Sequence, residues 1–74
     1  MYKNFTYSQL SELLMSIAEL LDSDEWIPKG KFAIYVKAFN LYERILTNAR
    51  DTDTTESVFN VPVIHRVKGK WYLG

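Results

Sequence analysis

Seventy-four residues with no cysteine, one histidine, and nine basic against nine acidic side chains describe a single small domain, 1–74, without disulfides or thiolate metal sites. One histidine alone leaves no zinc site of the usual composition, and the balanced charge supplies no overall field to gather nucleic acid or an anionic membrane. A chain that is 47% hydrophobic and 15% aromatic, with three glycines and two prolines, favours a packed core over disorder.

Residues 1–6 read as a short arm carrying Tyr2 and Phe5, either extended or stapled against the next element. Thr6 with Gln9 fits a capping box, with Ser8 as a second N-cap candidate. From Tyr7 to Asp22 the apolar residues recur at the 3.6-residue period. Leu10, Leu13, Leu14, Ile17, Leu20 and Leu21 share one arc, opposite Ser8, Gln9, Glu12, Ser16 and Glu19. The segment lacks internal glycine and proline, which favours helix throughout. Asp22 to Gly30 is a loop in which Trp26 and Ile27 are expected to fold back and close one end of the core. Pro28 and Gly30 bracket a turn there, Gly30 serving as N-cap of the next helix.

The stretch that organises the chain follows, from Phe32 to Ala49. Its apolar side chains span an arc of about 180°, where a surface helix needs a stripe of about 100°. Residues 31–36 alternate as a strand would, but the arc continues in phase to Ala49, longer than a typical strand, and argues for helix. Tyr35, Phe39, Tyr42 and Leu46 form one seam along it. Ile34, Ala38, Leu41 and Ile45 form another at spacings of four, three and four, the spacing at which paired helices meet.

Arg50 to Ser57 is polar and threonine-rich, and reads as a linker. Val58 to Leu73 reads as a β-hairpin turning at Lys68-Gly69. A two-residue turn would pair Arg66 with Trp71 and mix apolar with charged residues on both faces. A three-residue turn, Val67-Lys68-Gly69, would pair His65 with Trp71 and Val63 with Leu73. The second gathers Phe59, Val61, Val63, His65, Trp71 and Leu73 on one face and is the register expected. Pro62 restricts its strand to an edge or a strand start. An isolated hairpin is marginal in water, so this face should lie on the helices. The fold class is therefore α+β: an antiparallel helix pair, 7–22 and 31–50, with a C-terminal hairpin, 58–73, packed on it, and a linker at 50–57.

Catalytic chemistry finds little support. His65 is the one side chain that titrates near neutrality, yet nothing near it in sequence nominates a nucleophile or an orienting partner. Packing against Trp71 accounts for it better. The pairs Asp22 with Asp24 and Asp51 with Asp53 lack the apolar surroundings that raise a carboxyl pKa, and the acidic loop lacks the glycine and distant glutamate of a calcium site. Lys29-Gly30-Lys31 and Lys68-Gly69-Lys70 have no phosphate-loop spacing, so solvated turn lysines explain them. A chain this short also leaves little expected room for a pocket of a few hundred Å³ beside its core. No enzyme activity, metal or cofactor is expected.

Two binding functions remain. Arg66, Lys68, Lys70, Trp71 and Tyr72 cluster at the hairpin tip, where bases and aromatics together suit phosphate contact and stacking. A hairpin after two helices resembles the layout of winged helix domains, in outline only, because no third helix is present to read a groove. Three tip charges add little affinity at physiological salt. Protein interaction is the leading expectation: the seam Ile34, Ala38, Leu41 and Ile45 exceeds what one helix partner covers, and a two-fold homodimer would bury it twice. The N-terminus lacks the apolar run of a signal peptide, and no stretch approaches the roughly 20 apolar residues of a membrane span, so a cytoplasmic adaptor, inhibitor or regulator is expected. On size alone, an accessory protein of a mobile element is one candidate of this kind.

Overall fold

The computed structural model describes residues 1–52 and 57–74, with the side chains of residues 51 and 52 left aside. The order is β1 (Tyr2–Thr6), α1 (Tyr7–Leu21), α2 (Lys29–Thr52), β2 (Val58–Pro62), β3 (Ile64–Val67) and β4 (Lys70–Leu73). Two helices pack together, and two antiparallel strand pairs, β1–β2 and β3–β4, complete a mixed α+β globule.

The capping box forms as expected. Thr6 Oγ1 accepts from the Gln9 amide at 3.2 Å, and Gln9 Oε1 accepts from the Thr6 amide at 3.0 Å, so two otherwise orphaned donors are satisfied at the strand-to-helix junction. The helix ends at Leu21, and Asp22 caps it with its amide on the Ala18 carbonyl.

The second helix begins two residues earlier than its sequence pattern suggested. The Phe32 amide donates to the Pro28 carbonyl at 2.8 Å, so Pro28 opens the helix and Gly30, expected at the N-cap, lies in its first turn. Proline supplies a backbone angle compatible with that entry and loses no needed donor. Helix geometry holds through residues 31–36, which settles the strand alternative. The far end runs on to Thr52, shortening the linker expected at 50–57. Residues 53–56 lie outside the described residues, as does the Asp51 and Asp53 carboxylate pair.

The larger departure is in the C-terminal third. The expected hairpin covered 58–73 in one piece, but its first strand divides at Val63. The β2 segment pairs with the N-terminal arm, Phe5 opposite Phe59 and Lys3 opposite Val61. Only β3 and β4 form the hairpin, with Ile64 opposite Leu73, His65 opposite Tyr72 and Arg66 opposite Trp71. Val63 bridges both ladders: its amide donates to the Met1 carbonyl at 3.0 Å, and its carbonyl accepts from the Gly74 amide at 3.2 Å. Val63 and Ile64 are consecutive, yet Val63 is buried and Ile64 packs against the core. This one-residue slip in phase reverses which later residues face inward.

That slip corrects the expected three-residue turn. With Ile64 inward, Arg66, Trp71 and Leu73 share its face, while His65 turns outward with Tyr72. The two-residue turn Lys68-Gly69 then fits, with φ of 51° and 80°. Positive φ at both central residues matches the turn class whose twist suits a hairpin.

The core cluster comprises Leu10 and Ile17 of α1, Ala38, Tyr42 and Leu46 of α2, and Val61 of β2. Each large aliphatic side chain so buried contributes roughly 1.5–3 kcal/mol. Trp26 does not close the end of this core as expected: it is 84% exposed. Asp22 caps the preceding helix and Pro28 starts the next, so the intervening residues are held by backbone geometry and the indole is left outside.

Candidate functional site

Three neighbouring features define the candidate site: an exposed acidic loop, an apolar cleft and a basic aromatic corner. Asp22, Asp24, Glu25 and Trp26 are all exposed in the α1–α2 loop. Phe32, also exposed, follows in the first turns of α2. Trp26 and Phe32 thus place large apolar surface at the loop end of the helix pair, beside three carboxylates.

The cleft opens between β1, the two helices and the β3–β4 hairpin, with a volume of about 400 Å³. Phe5, Leu13, Ile17, Leu20, Tyr35 and Trp71 supply most of its apolar wall. This corrects the expectation of little room beside the core. The space exists because the chain divides its strands into two pairs, one contacting α1 through β1 and the other contacting α2. Among the described residues no carboxylate lines it, whereas Lys3 does. Ser16 also lines it but spends its hydroxyl on the Glu12 carbonyl at 3.1 Å, and the Tyr42 hydroxyl donates to the Pro62 carbonyl.

Lys31 and Arg66 add charge at the same wall. Lys31 Nζ lies 4.9 Å from the Trp71 ring centroid and 5.5 Å from that of Tyr35, and the Arg66 guanidinium lies 5.5 Å from Trp71. Tyr35 and Trp71 are themselves in ring contact, centroids 6.5 Å apart. Cations over aromatic faces are attracted by the ring quadrupole. This attraction offsets the mixed face that had argued against pairing Arg66 with Trp71.

The residues singled out at the hairpin tip are accordingly divided. Arg66 and Trp71 meet on the inner face, Tyr72 lies on the outer face, and Lys68 and Lys70 are exposed at the turn. His65 stacks on Tyr72, centroids 5.7 Å apart, and not on Trp71 as expected. Lys3 and Lys31, from the arm and the second helix, were not associated with the tip in sequence. Only the packing of β1 and α2 around the cleft brings them there.

The seam Ile34, Ala38, Leu41 and Ile45 is also distributed. Ala38 is fully buried in the core cluster, Leu41 and Ile45 pack against that cluster, and Ile34 is half-buried outside it. Among the described residues no group of three potential metal ligands occurs, and no helix is long and apolar enough to cross a membrane. No family model, curated protein or solved structure matches the chain.

Proposed function

We propose that this chain is a small non-enzymatic, cytoplasmic protein-interaction module of the adaptor, inhibitor or regulator kind, and that it self-associates as a homodimer. The observation that carries the reading is Trp26, 84% exposed in a loop that gives it no partner in its own chain's core. Tryptophan is enriched among residues that dominate binding energy at interfaces, and a largely exposed indole forfeits most of the burial that an aromatic side chain usually supplies. Phe32, exposed in the first turns of α2, adds apolar surface near the same end of the helix pair, and the three carboxylates preceding Trp26 in its loop give the contact a charge preference.

The test is light scattering of the native chain over a range of micromolar concentrations, together with capture of partners on native and Trp26→Ala protein. Association that weakens tenfold or more in the variant supports the reading. A native chain that stays monomeric and retains no protein in a Trp26-dependent way overturns it.

Nucleic-acid binding is the runner-up, supported by the meeting of Lys31 and Arg66 at Trp71. That same contact occupies an aromatic face that a base would need, and Tyr72 is engaged by His65. Salt-sensitive retention of a single-stranded oligonucleotide, lost in Arg66→Ala, would favour this reading over protein contact.

A further inference from the structure

We propose that the occupant of the apolar cleft is the acidic tryptophan loop of a second copy of this chain, exchanged reciprocally across a two-fold axis. The inference rests on the self-association reading above and specifies its contact. It has two halves, both present in the one chain, and each is unexplained by the monomer alone.

The first half is the donor. Trp26 stands clear of the core in a segment bearing Asp22, Asp24 and Glu25, all exposed. The second half is the acceptor. The cleft holds about 400 Å³ between aromatic and aliphatic walls. Its wall is largely apolar, and the Ser16 and Tyr42 hydroxyl protons are already donated elsewhere. An indole has the shape and polarity to occupy it.

Charge selects the same pairing. The chain as a whole is neutral, yet its charges are segregated. Three acids flank the indole, while Lys3 lines the cleft and Lys31 lies against two of its wall residues, with no carboxylate in that wall among the described residues. A loop of one copy in the cleft of another brings its acids towards Lys3 and Lys31.

Placement makes the exchange reciprocal. Leu20 of the cleft wall lies just before the loop, and Tyr35 lies within two turns after the start of α2. Donor and acceptor therefore adjoin at the same end of the helix pair. A two-fold axis beside that end applies each contact twice, and a self-complementary surface closes as a dimer with no open chain of copies.

The experiment uses the whole chain in three forms: native, Trp26→Ala, and Ser16→Phe, which inserts a ring into the cleft from the exposed side of α1. Light scattering reads mass, circular dichroism checks that each variant keeps its helices, and an isotope-filtered NOE measurement on mixed labelled and unlabelled native chains reads contact between copies. The expected results are a native dimer, a loss of association of tenfold or more in both variants, and intermolecular NOEs from the Trp26 indole to Leu13 or Leu20 methyl groups. A native dimer that Trp26→Ala disrupts, without NOEs to the cleft, overturns this inference and leaves the self-association reading standing. A native monomer overturns both. Because the NOE measurement uses native protein, a variant that fails to fold does not rescue the proposal.

Discussion

The hydroxyl of Tyr42 donates to the carbonyl oxygen of Pro62 at 2.5 Å, tying the middle of α2 to the point where the chain leaves one strand pair for the other. Val63 follows immediately and serves both ladders. Pro62 has no amide with which to extend β2, so its carbonyl and the next residue carry the crossover. Tyr42 is 1% exposed and belongs to the core cluster, so this hydrogen bond links the core to the strand crossover.

Tyr42→Phe keeps the ring and removes the hydroxyl. The Pro62 carbonyl then loses its partner in a partly buried setting, which costs about 1–3 kcal/mol. For a domain of this size each kcal/mol lowers the melting temperature by about 4–8 °C. Thermal denaturation followed by circular dichroism measures the loss, and an unchanged melting temperature would show that the hydrogen bond contributes nothing net.

The same hydroxyl sets an alkaline limit on stability. Burial raises the Tyr42 pKa above its ordinary value of 10.0 by desolvating the phenolate. The folded chain therefore holds this proton more tightly than the unfolded chain does. Its contribution is fully present below about pH 10 and is lost as pH rises from there through the raised folded value. Urea midpoints measured from about pH 9 to 11.5 should fall more steeply for the native chain than for Tyr42→Phe. Parallel profiles in the two proteins would contradict this account.

Two backbone positions are open to improvement. Lys68 occupies the left-handed region, φ 51°, where lysine costs roughly 1 kcal/mol and asparagine much less. Gly30 lies in the first turn of α2, and an added Cβ would meet nothing within 4 Å. Lys68→Asn and Gly30→Ala should each stabilise by about 0.5–1 kcal/mol. The two sites lie in different elements with separate surroundings, so the double variant should show the sum.

The helices were legible because their information is periodic and local. The arc from Phe32 to Ala49 and the Thr6–Gln9 capping pair both survive into the structure. What sequence could not carry was the slip at Val63. Phe59, Val61 and Val63 alternate as one strand, and nothing in that alternation announces that Ile64 also turns inward. The turn register follows from the slip, so face composition over 58–73 points to the wrong partners for His65 and Arg66, which pair with Tyr72 and Trp71. The cleft was illegible for a related reason. Lys3, Ile17, Tyr35 and Trp71 come from four elements, and only tertiary packing makes them neighbours. Large apolar loop residues usually close a core, and Trp26 departs from that rule in a loop bounded by the Asp22 cap and the Pro28 helix start.

The seam once expected to mark a dimer contact supplies the last prediction. Leu41 packs against the buried cluster, whereas Ile34 is half-buried and outside it. A carboxylate at Leu41 removes apolar burial and places a charge against the buried cluster, costing more than about 2 kcal/mol. At Ile34 the new carboxylate can reach water along the helix surface, and its cost should stay near 1 kcal/mol. Leu41→Glu should therefore lower the urea midpoint sharply and broaden the loss of helical circular dichroism, while Ile34→Glu keeps the cooperative transition. If both variants keep native stability and lose only association, Leu41 faces a partner chain and not its own core. If Leu41→Glu unfolds as expected, the dimer contact must lie on surface the monomer leaves open, and the loop of Trp26 remains the strongest such surface.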